Sequence, residues 1–266
     1  KDAAVVASQG EAAIAERLRA IGGKVQMADG QIAAVSLNGT TVTDKELEIL
    51  TRLPRLAELS LQHTEVSPLG LEHVSKVRSL QKLDLGHTLL GDSALANLGT
   101  LTNLQSLHLP STLVEGTALG ALAALPNLRE LDLESAPVGD KGAEQLAKLA
   151  GLESLNLRHT DITDPGMTQV AALKNLKRLD LTSADITEKG LESLAALVQL
   201  EDLDLSFTRF AEPGLQVITG LTKLKRLGLE QTSITDAGME WVGQLPKLEA
   251  LNLNYTPVTD AGFSKL

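Results

Sequence analysis

The sequence predicts an α/β solenoid: one curved, right-handed horseshoe with a parallel sheet on the concave face and helices on the convex face. Three observations carry that expectation. A Leu-x-x-Leu-x-Leu signature recurs every 24 residues, without insertion or deletion, from Leu56-Leu59-Leu61 to Leu248-Leu251-Leu253. A degenerate copy, Ile32-Val35-Leu37, keeps the same phase, so the chain holds ten repeats. Each copy also carries strand, turn and helix signals in the same order. Units of this size cannot bury an apolar face alone, so they stack and share a core. Strands pack about 4.8 Å apart and helices about 8–10 Å apart, which bends the stack with its sheet inside.

The N-terminal segment reads as a cap. Ser8-Gln9-Gly10-Glu11 has the form of a capping box, ahead of a helix that carries Ile14, Leu18 and Ile21 and stops at Gly22-Gly23. Val25 to Met27 reads as a strand, and Asp29-Gly30 as a hairpin turn into the first repeat. Residues 1–31 are thus expected to close one end, and residues 32–266 to form ten repeats in one continuous structural domain.

The sixth repeat shows the internal plan. Leu155 and Leu157 alternate with Ser154, Asn156 and Arg158, the period of a short half-buried strand. A turn holding Thr160 follows, then the inward Ile162. Thr163 and Asp164 resemble a helix start, Pro165 is tolerated in the first turn, and Met167, Val170 and Leu173 supply one buried face. In the first repeat Thr43-Asp44-Lys45-Glu46 forms a capping box ahead of Leu47, Leu50 and Leu53. Seven of the ten repeats place glycine where Gly166 stands, at a cost of about 1 kcal/mol in helix propensity, so close packing against the next repeat is expected there. One repeat departs from the plan. Pro110 removes a strand donor and Glu115-Gly116 replaces the Thr-Asp start, which predicts irregularity over His108–Thr117.

This pattern resembles that of leucine-rich repeat proteins, over residues 32–266. The segment Ile162-Thr163-Asp164-x-Gly166-Met167 is similar to the Ile-Thr-Asp-x-Gly-Leu of bacterial repeats and of ubiquitin-ligase substrate receptors. The usual Asn or Cys after the strand is threonine in eight repeats, Thr160 among them, and alanine at Ala136 and Ala184. A hydroxyl satisfies fewer groups than an amide, so the turn threonines are expected to be buried and bonded to backbone.

Composition narrows the partners. A net charge of -10 and a pI near 5.0 oppose nucleic-acid binding, which needs a basic footprint. There is no cysteine, hence no disulfide framework or thiolate zinc site. No apolar run approaches the roughly 20 residues of a membrane span. The chain begins at Lys1 rather than Met, so any export signal is expected upstream, and a secreted, periplasmic or cell-surface setting is favoured over a cytoplasmic one. It stops at Leu266 inside the tenth helix with no polar cap, so further chain or another surface is expected to cover that end. Oligomeric state is left open.

Several constellations bear on chemistry. His63 and His87 share a column, with Asp84 and His108 nearby, the right ligand types for a metal but without helical i,i+4 spacing. Ser60, His63 and Asp84 fail as a hydrolase trio, because about 10 Å of strand separates Ser60 from His63. No metal, cofactor or catalytic residue is assigned. The sequons at Asn38 and Asn254 follow from the framework threonines. Opposite charges in the columns Arg178/Asp202/Arg226 and Lys177/Glu201/Lys225/Glu249 are expected to pair along the sheet. In the central column Asp180 and Asp204 are like charges on adjacent strands, open to a cationic partner. Phe207 and Tyr255 share an edge column with Gln231 between them, two rings in a chain with 2% aromatics.

The resemblance and these columns together predict a non-enzymatic module whose concave face binds a protein or peptide that carries a basic group. The expected contacts are Arg158, Asp180, Asp204, Phe207, Gln231, Asn252 and Tyr255. Two other readings remain open: a small-ligand or glycan sensor, and the substrate-recognition arm of a larger effector enzyme.

Overall fold

The computed structural model describes the backbone from Asp2 to Leu266, and side chains from Gly10 onward. Two compact units are distinguished: residues up to Val114 with Ala121–Leu128, and Glu115–Gly120 with Arg129–Leu266.

The first unit opens with helix α1 (Asp2–Ala20), which begins earlier than the sequence suggests. Ser8 therefore lies inside the helix, and its side chain falls outside the described residues. The helix ends as expected. Gly22 adopts φ +91, and the N–H groups of Gly22 and Gly23 donate to Arg19 and Leu18 at 2.9 Å, which satisfies the last carbonyls. Glu11 has a different role from a cap: its buried carboxylate accepts the Ile32 N–H at 2.6 Å and ties α1 to the first repeat. Strands β1 (Lys24–Ala28) and β2 (Gln31–Ser36) form the antiparallel hairpin, with Asp29 and Gly30 both at positive φ. From β2 onward pairing is parallel: β3 (Glu58–Ser60), β4 (Lys82–Asp84) and β5 (Ser106–His108) follow in register. Helices α2 (Pro68–Val74) and α3 (Asp92–Leu98) connect them.

The second unit repeats the plan with β6 (Glu130–Asp132), α4 (Asp140–Leu146), β7 (Ser154–Asn156), α5 (Asp164–Val170), β8 (Arg178–Asp180) and α6 (Glu188–Glu192). It continues with β9 (Asp202–Asp204), β10 (Arg226–Gly228), α7 (Met239–Val242), β11 (Ala250–Asn252) and α8 (Asp260–Phe263). Strands β6 to β11 are parallel, each paired 24 residues on. Signature leucines such as Leu155, Leu157, Leu203 and Leu205 are almost wholly buried, and truncating any of them to alanine would cost about 2–5 kcal/mol. In the tenth repeat Leu251 and Leu253 are only half-buried.

All eight turn threonines close their own turn. Each hydroxyl donates to the carbonyl three residues back, as Thr160 does to Leu157 at 2.7 Å. Six of the eight are buried, so the bond replaces water that cannot reach them.

Five helix starts are held by a carboxylate from the repeat before, whereas α3 and α4 follow Pro68 and Gly116 at that position and have Gly91 and Gly139 as N-caps. Asp140 accepts the Thr163 N–H at 2.9 Å, the Thr163 hydroxyl at 2.7 Å and the Gly166 N–H at 3.0 Å. Asp164 does the same for Thr187 and Gly190, and Glu212 for Thr235 and Gly238. Five of the seven glycines are explained by the same contact. A Cβ at Gly166 or Gly190 would collide with that carboxylate, so the close neighbour is the preceding repeat rather than the next one. Gly142 is instead crowded by Val138 and the Glu115 carbonyl, and Gly214 by the Glu188 Cβ. Glu115 and Ala211 occupy the threonine position in two repeats, and there the helix is replaced by 3-10 turns at Leu119–Ala124 and Glu212–Gly220. Gly116 takes φ +90 in the first of these. The irregularity expected over His108–Thr117 thus falls on the helix start, while β5 keeps its bonds to β4. The first repeat also starts as a 3-10 turn, and there Glu46 reaches back to the Thr43 N–H at 2.8 Å.

Two outcomes test this account. Thr160→Val should destabilise by about 1 kcal/mol or more through a lost bond at constant volume, read as a lower urea midpoint with unchanged slope. Partial burial works against the Asp164 carboxylate, but the Thr187 hydroxyl and the Thr187 and Gly190 N–H groups outweigh it and hold its pKa below the usual range. A depressed carboxyl pKa stabilises above the unfolded value and loses that contribution as pH falls through the folded one. Asp164→Asn should therefore cost about 1 kcal/mol at pH 7, with the gap from wild type closing under acid.

Candidate functional site

On the open sheet face, the column that runs through Asp84, Asp180 and Asp204 has a structural duty. Asp84, Asp132, Asn156, Asp180, Asp204 and Asn252 each use Oδ1 to accept the N–H two residues on, at 2.8–3.1 Å. That N–H points away from the ladder as the strand ends, so it needs a side-chain acceptor. Three exceptions obey the same accounting. Gly228 has no acceptor, and the Glu230 N–H turns to the Ser206 hydroxyl at 3.1 Å. Pro110 has no N–H, and its strand carries His108 at this position. After Ser60 the Gln62 N–H turns to Asn38 Oδ1 at 3.1 Å.

The like charges at Asp180 and Asp204 are therefore partly accounted for: the turn requires an acceptor, although asparagine would serve as well. Asp180 faces Asp204 across the β8–β9 register. Burial pushes the Asp180 carboxyl above its ordinary value, the Thr182 hydroxyl and N–H oppose that shift, and the Asp204 charge adds to it. Arg158 offsets it from the neighbouring strand, with its Nε 3.5 Å from Glu134. A Cβ at Gly228 would overlap the Asp204 carboxylate, so this glycine gives that side chain its room. Asn252 donates to Glu230 at 3.0 Å.

Phe207, Gln231 and Tyr255 lie in a second column, at the turn just beyond the strands. There the structure adds a feature the sequence did not reveal. Every residue of that column is left-handed, from Gly39 at φ 65 through His63, His159, Ser183 and Phe207 to Tyr255 at φ 55. Only the first repeat uses glycine. Each turn has positive φ at its third residue, where glycine is the usual choice, and other residues cost on the order of 1 kcal/mol. The conformation is enforced from both sides. The column N–H donates to the next repeat, as Phe207 does to Glu230 at 2.8 Å, while the following threonine closes back on the leucine carbonyl. The side chains are thus set at fixed angles on the turn edge. Tyr255 is 82% exposed and Phe207 40%, so Tyr255 does not fold onto its turn.

Of the expected contacts, Asp180, Asp204 and Asn252 share the sheet face, Phe207, Gln231 and Tyr255 share the turn edge, and Arg158 sits between these columns. His159 and Ser183 complete the turn edge and were missed; their period of 24 from Phe207 was the available signal. The other constellations fall apart. Ser60 donates to Asn38 at 2.7 Å, and His63 stacks on His87 with ring centroids 4.3 Å apart. Among the described residues no group of three His, Cys, Asp or Glu could hold a metal ion, and no helix is long and apolar enough to cross a membrane. The charged columns pair as expected at Arg226–Asp202 (2.8 Å) and Lys225–Glu201 (2.7 Å), whereas Lys177 turns to Glu153 of the preceding repeat at 2.7 Å and Arg178 to Ser154 at 3.2 Å.

A family model described as leucine rich repeat matches residues 150–210, and a second leucine-rich-repeat model matches residues 124–147 and 244–266. Among solved structures, an internalin (inlF) from Listeria monocytogenes is similar over 97% of this chain and 92% of its own, with 20% identity and a TM-score of 0.51. Internalin C2 (inlC2) of the same species is similar over 73% of this chain and 77% of its own, with 26% identity and a TM-score of 0.57. No curated protein sequence matches significantly.

Asp180 gives a direct electrostatic test. A raised carboxyl pKa means its contribution to stability is present below the unfolded value and lost as pH rises through the folded one. Asp180→Asn keeps the turn acceptor and removes the charge. It should raise the unfolding midpoint at pH 7, with the difference from wild type shrinking as pH falls through the carboxylate range.

Proposed function

Because the chain is a leucine-rich repeat protein, a class of protein-binding repeat modules, we propose that it binds a protein or peptide without enzymatic action. The contact lies on the concave sheet face and adjoining turn edge of repeats six to ten. Arg158, Asp180, Asp204, Phe207, Gln231, Asn252 and Tyr255 make it. The observation that carries this reading is the pair of exposed rings, Phe207 and Tyr255, held at left-handed turn positions where glycine would be easier. Rigid rings are common binding anchors. The carboxylates of Asp180 and Asp204 beside them favour a partner with a basic group.

A second reading has one observation in its favour. A recess of about 280 Å³ on the first unit's sheet face is floored by Ala34, Ser36 and Ser60 and flanked by Lys24, Lys82, Asp84 and His108. That volume is near the lower end for small-ligand sites, about 300–1,000 Å³. A small ligand or glycan would sit there.

Selection of binders from a random displayed-peptide library tests the first reading. Selected peptides should lose binding to the Phe207→Ala/Tyr255→Ala double variant and keep it for Thr168→Ala/Gln216→Ala on the helical side; the reverse pattern would refute the site. In stopped-flow measurements added salt should slow association, because the acidic face steers encounter, while Tyr255→Ala should mainly speed dissociation.

A further inference from the structure

The turn-edge column holds five of the chain's ten ring-bearing side chains, counting five His, three Phe, one Tyr and one Trp. In the second unit those rings alternate with other residues: His159, Ser183, Phe207, Gln231, Tyr255. Rings therefore recur every second repeat. The column is locked to the sheet spacing, since the N–H groups of His159, Ser183, Phe207 and Gln231 each donate to the next repeat at 2.8–2.9 Å. At about 4.8 Å per strand, the rings stand about 9.6 Å apart.

Few peptide conformations share that period. A polyproline II helix advances about 3.1 Å per residue with three residues per turn, or about 9.3 Å. An α-helix repeats at about 5.4 Å, and an extended strand returns to the same face about every 6.7 Å. Neither matches a 9.6 Å step. A polyproline II backbone also leaves its carbonyls without internal partners, so a binding track needs donors between or on the rings. Ser183, Gln231 and Tyr255 supply a hydroxyl, an amide and a phenol, and none of the three side chains is hydrogen-bonded among the described residues. Asp180 and Asp204 lie one column inward and complement a basic residue flanking the prolines.

We propose that the turn edge of repeats six to ten is a track for a proline-rich segment in the polyproline II conformation, whose every third residue packs against His159, Phe207 and Tyr255. This rests on the reading that these repeats bind a peptide, and it adds the class of peptide. The left-handed backbone gains a purpose as well, since it fixes each ring before the ligand arrives and lowers the ordering cost of binding.

The test uses a fluorescein-labelled peptide with an arginine flank and a proline at every third position over about three turns, read by fluorescence polarisation on the whole chain. A second peptide has the same composition with the prolines at alternate positions. The first should bind saturably with Kd below about 1 mM, and the second at least about tenfold more weakly. Tyr255→Ala should weaken the first about tenfold or more. The exchange Phe207→Gln with Gln231→Phe keeps the composition, breaks the two-repeat period, and should weaken binding as much. Should that exchange lower the melting temperature, the single Tyr255→Ala variant decides. Equal binding of both peptides, or an unchanged affinity in the period-breaking variant, would overturn the proposal. If the proline probe fails while library-selected peptides still depend on Phe207 and Tyr255, the polyproline inference is wrong and the binding site stands. If selected peptides ignore both rings, both fall.

Discussion

The parallel ladder, in register at every 24th residue, is the constraint on which the other features depend. It fixes each residue type in a column, one strand spacing from its equivalents. Once the columns are fixed, the polar accounting follows. The N–H that leaves the ladder after each strand must find a side-chain acceptor, and an Asp or Asn on the sheet face supplies it in six repeats. The next N–H returns to the ladder only if its residue turns left-handed. The threonine after it then closes the turn with its hydroxyl. Three successive columns are thus consequences of a single register.

The helical side is organised by a second device acting at the same period. In five repeats a carboxylate at the start of one helix or 3-10 turn holds the start of the next, and glycine is required where it lands. Surface ion pairs along the sheet add little by comparison, since exposed pairs contribute on the order of 0.2–1 kcal/mol and are screened by salt. The aliphatic core supplies the bulk of the stability, and the clamps and turns supply its uniqueness of register.

Much of this was legible in the sequence. Periodicity of the leucines gave the repeats and their phase, Asp29-Gly30 gave the hairpin, and the burial of Thr160 followed from its position in a packed turn. What escaped notice had a physical reason. The left-handed column carries His, Ser, Phe, Gln and Tyr, because its backbone is imposed by neighbours rather than by local preference. The Thr-Asp pair reads locally as a helix cap, yet Asp164 serves Thr187, 23 residues away. A period of 24 hides such contacts, since every residue has equivalents in both directions. Among the site residues, Asp180 and Asp204 read as unexplained charge until the turn bonds were seen. Phe207 and Tyr255 were visible as rare rings, and His159 was not grouped with them, because the two-repeat spacing means nothing until the column is known to be locked to the ladder.

Register as the source of both stability and site geometry can be tested by removing one period. Excision of residues 212–235 joins Ala211 to Asp236 and deletes 24 residues without changing phase. The shortened chain should remain folded, with parallel-sheet circular dichroism and a cooperative melt, whereas excision of residues 212–234 should not. A chain that tolerates the 23-residue cut as well as the 24-residue one, or that unfolds with both, would contradict the account.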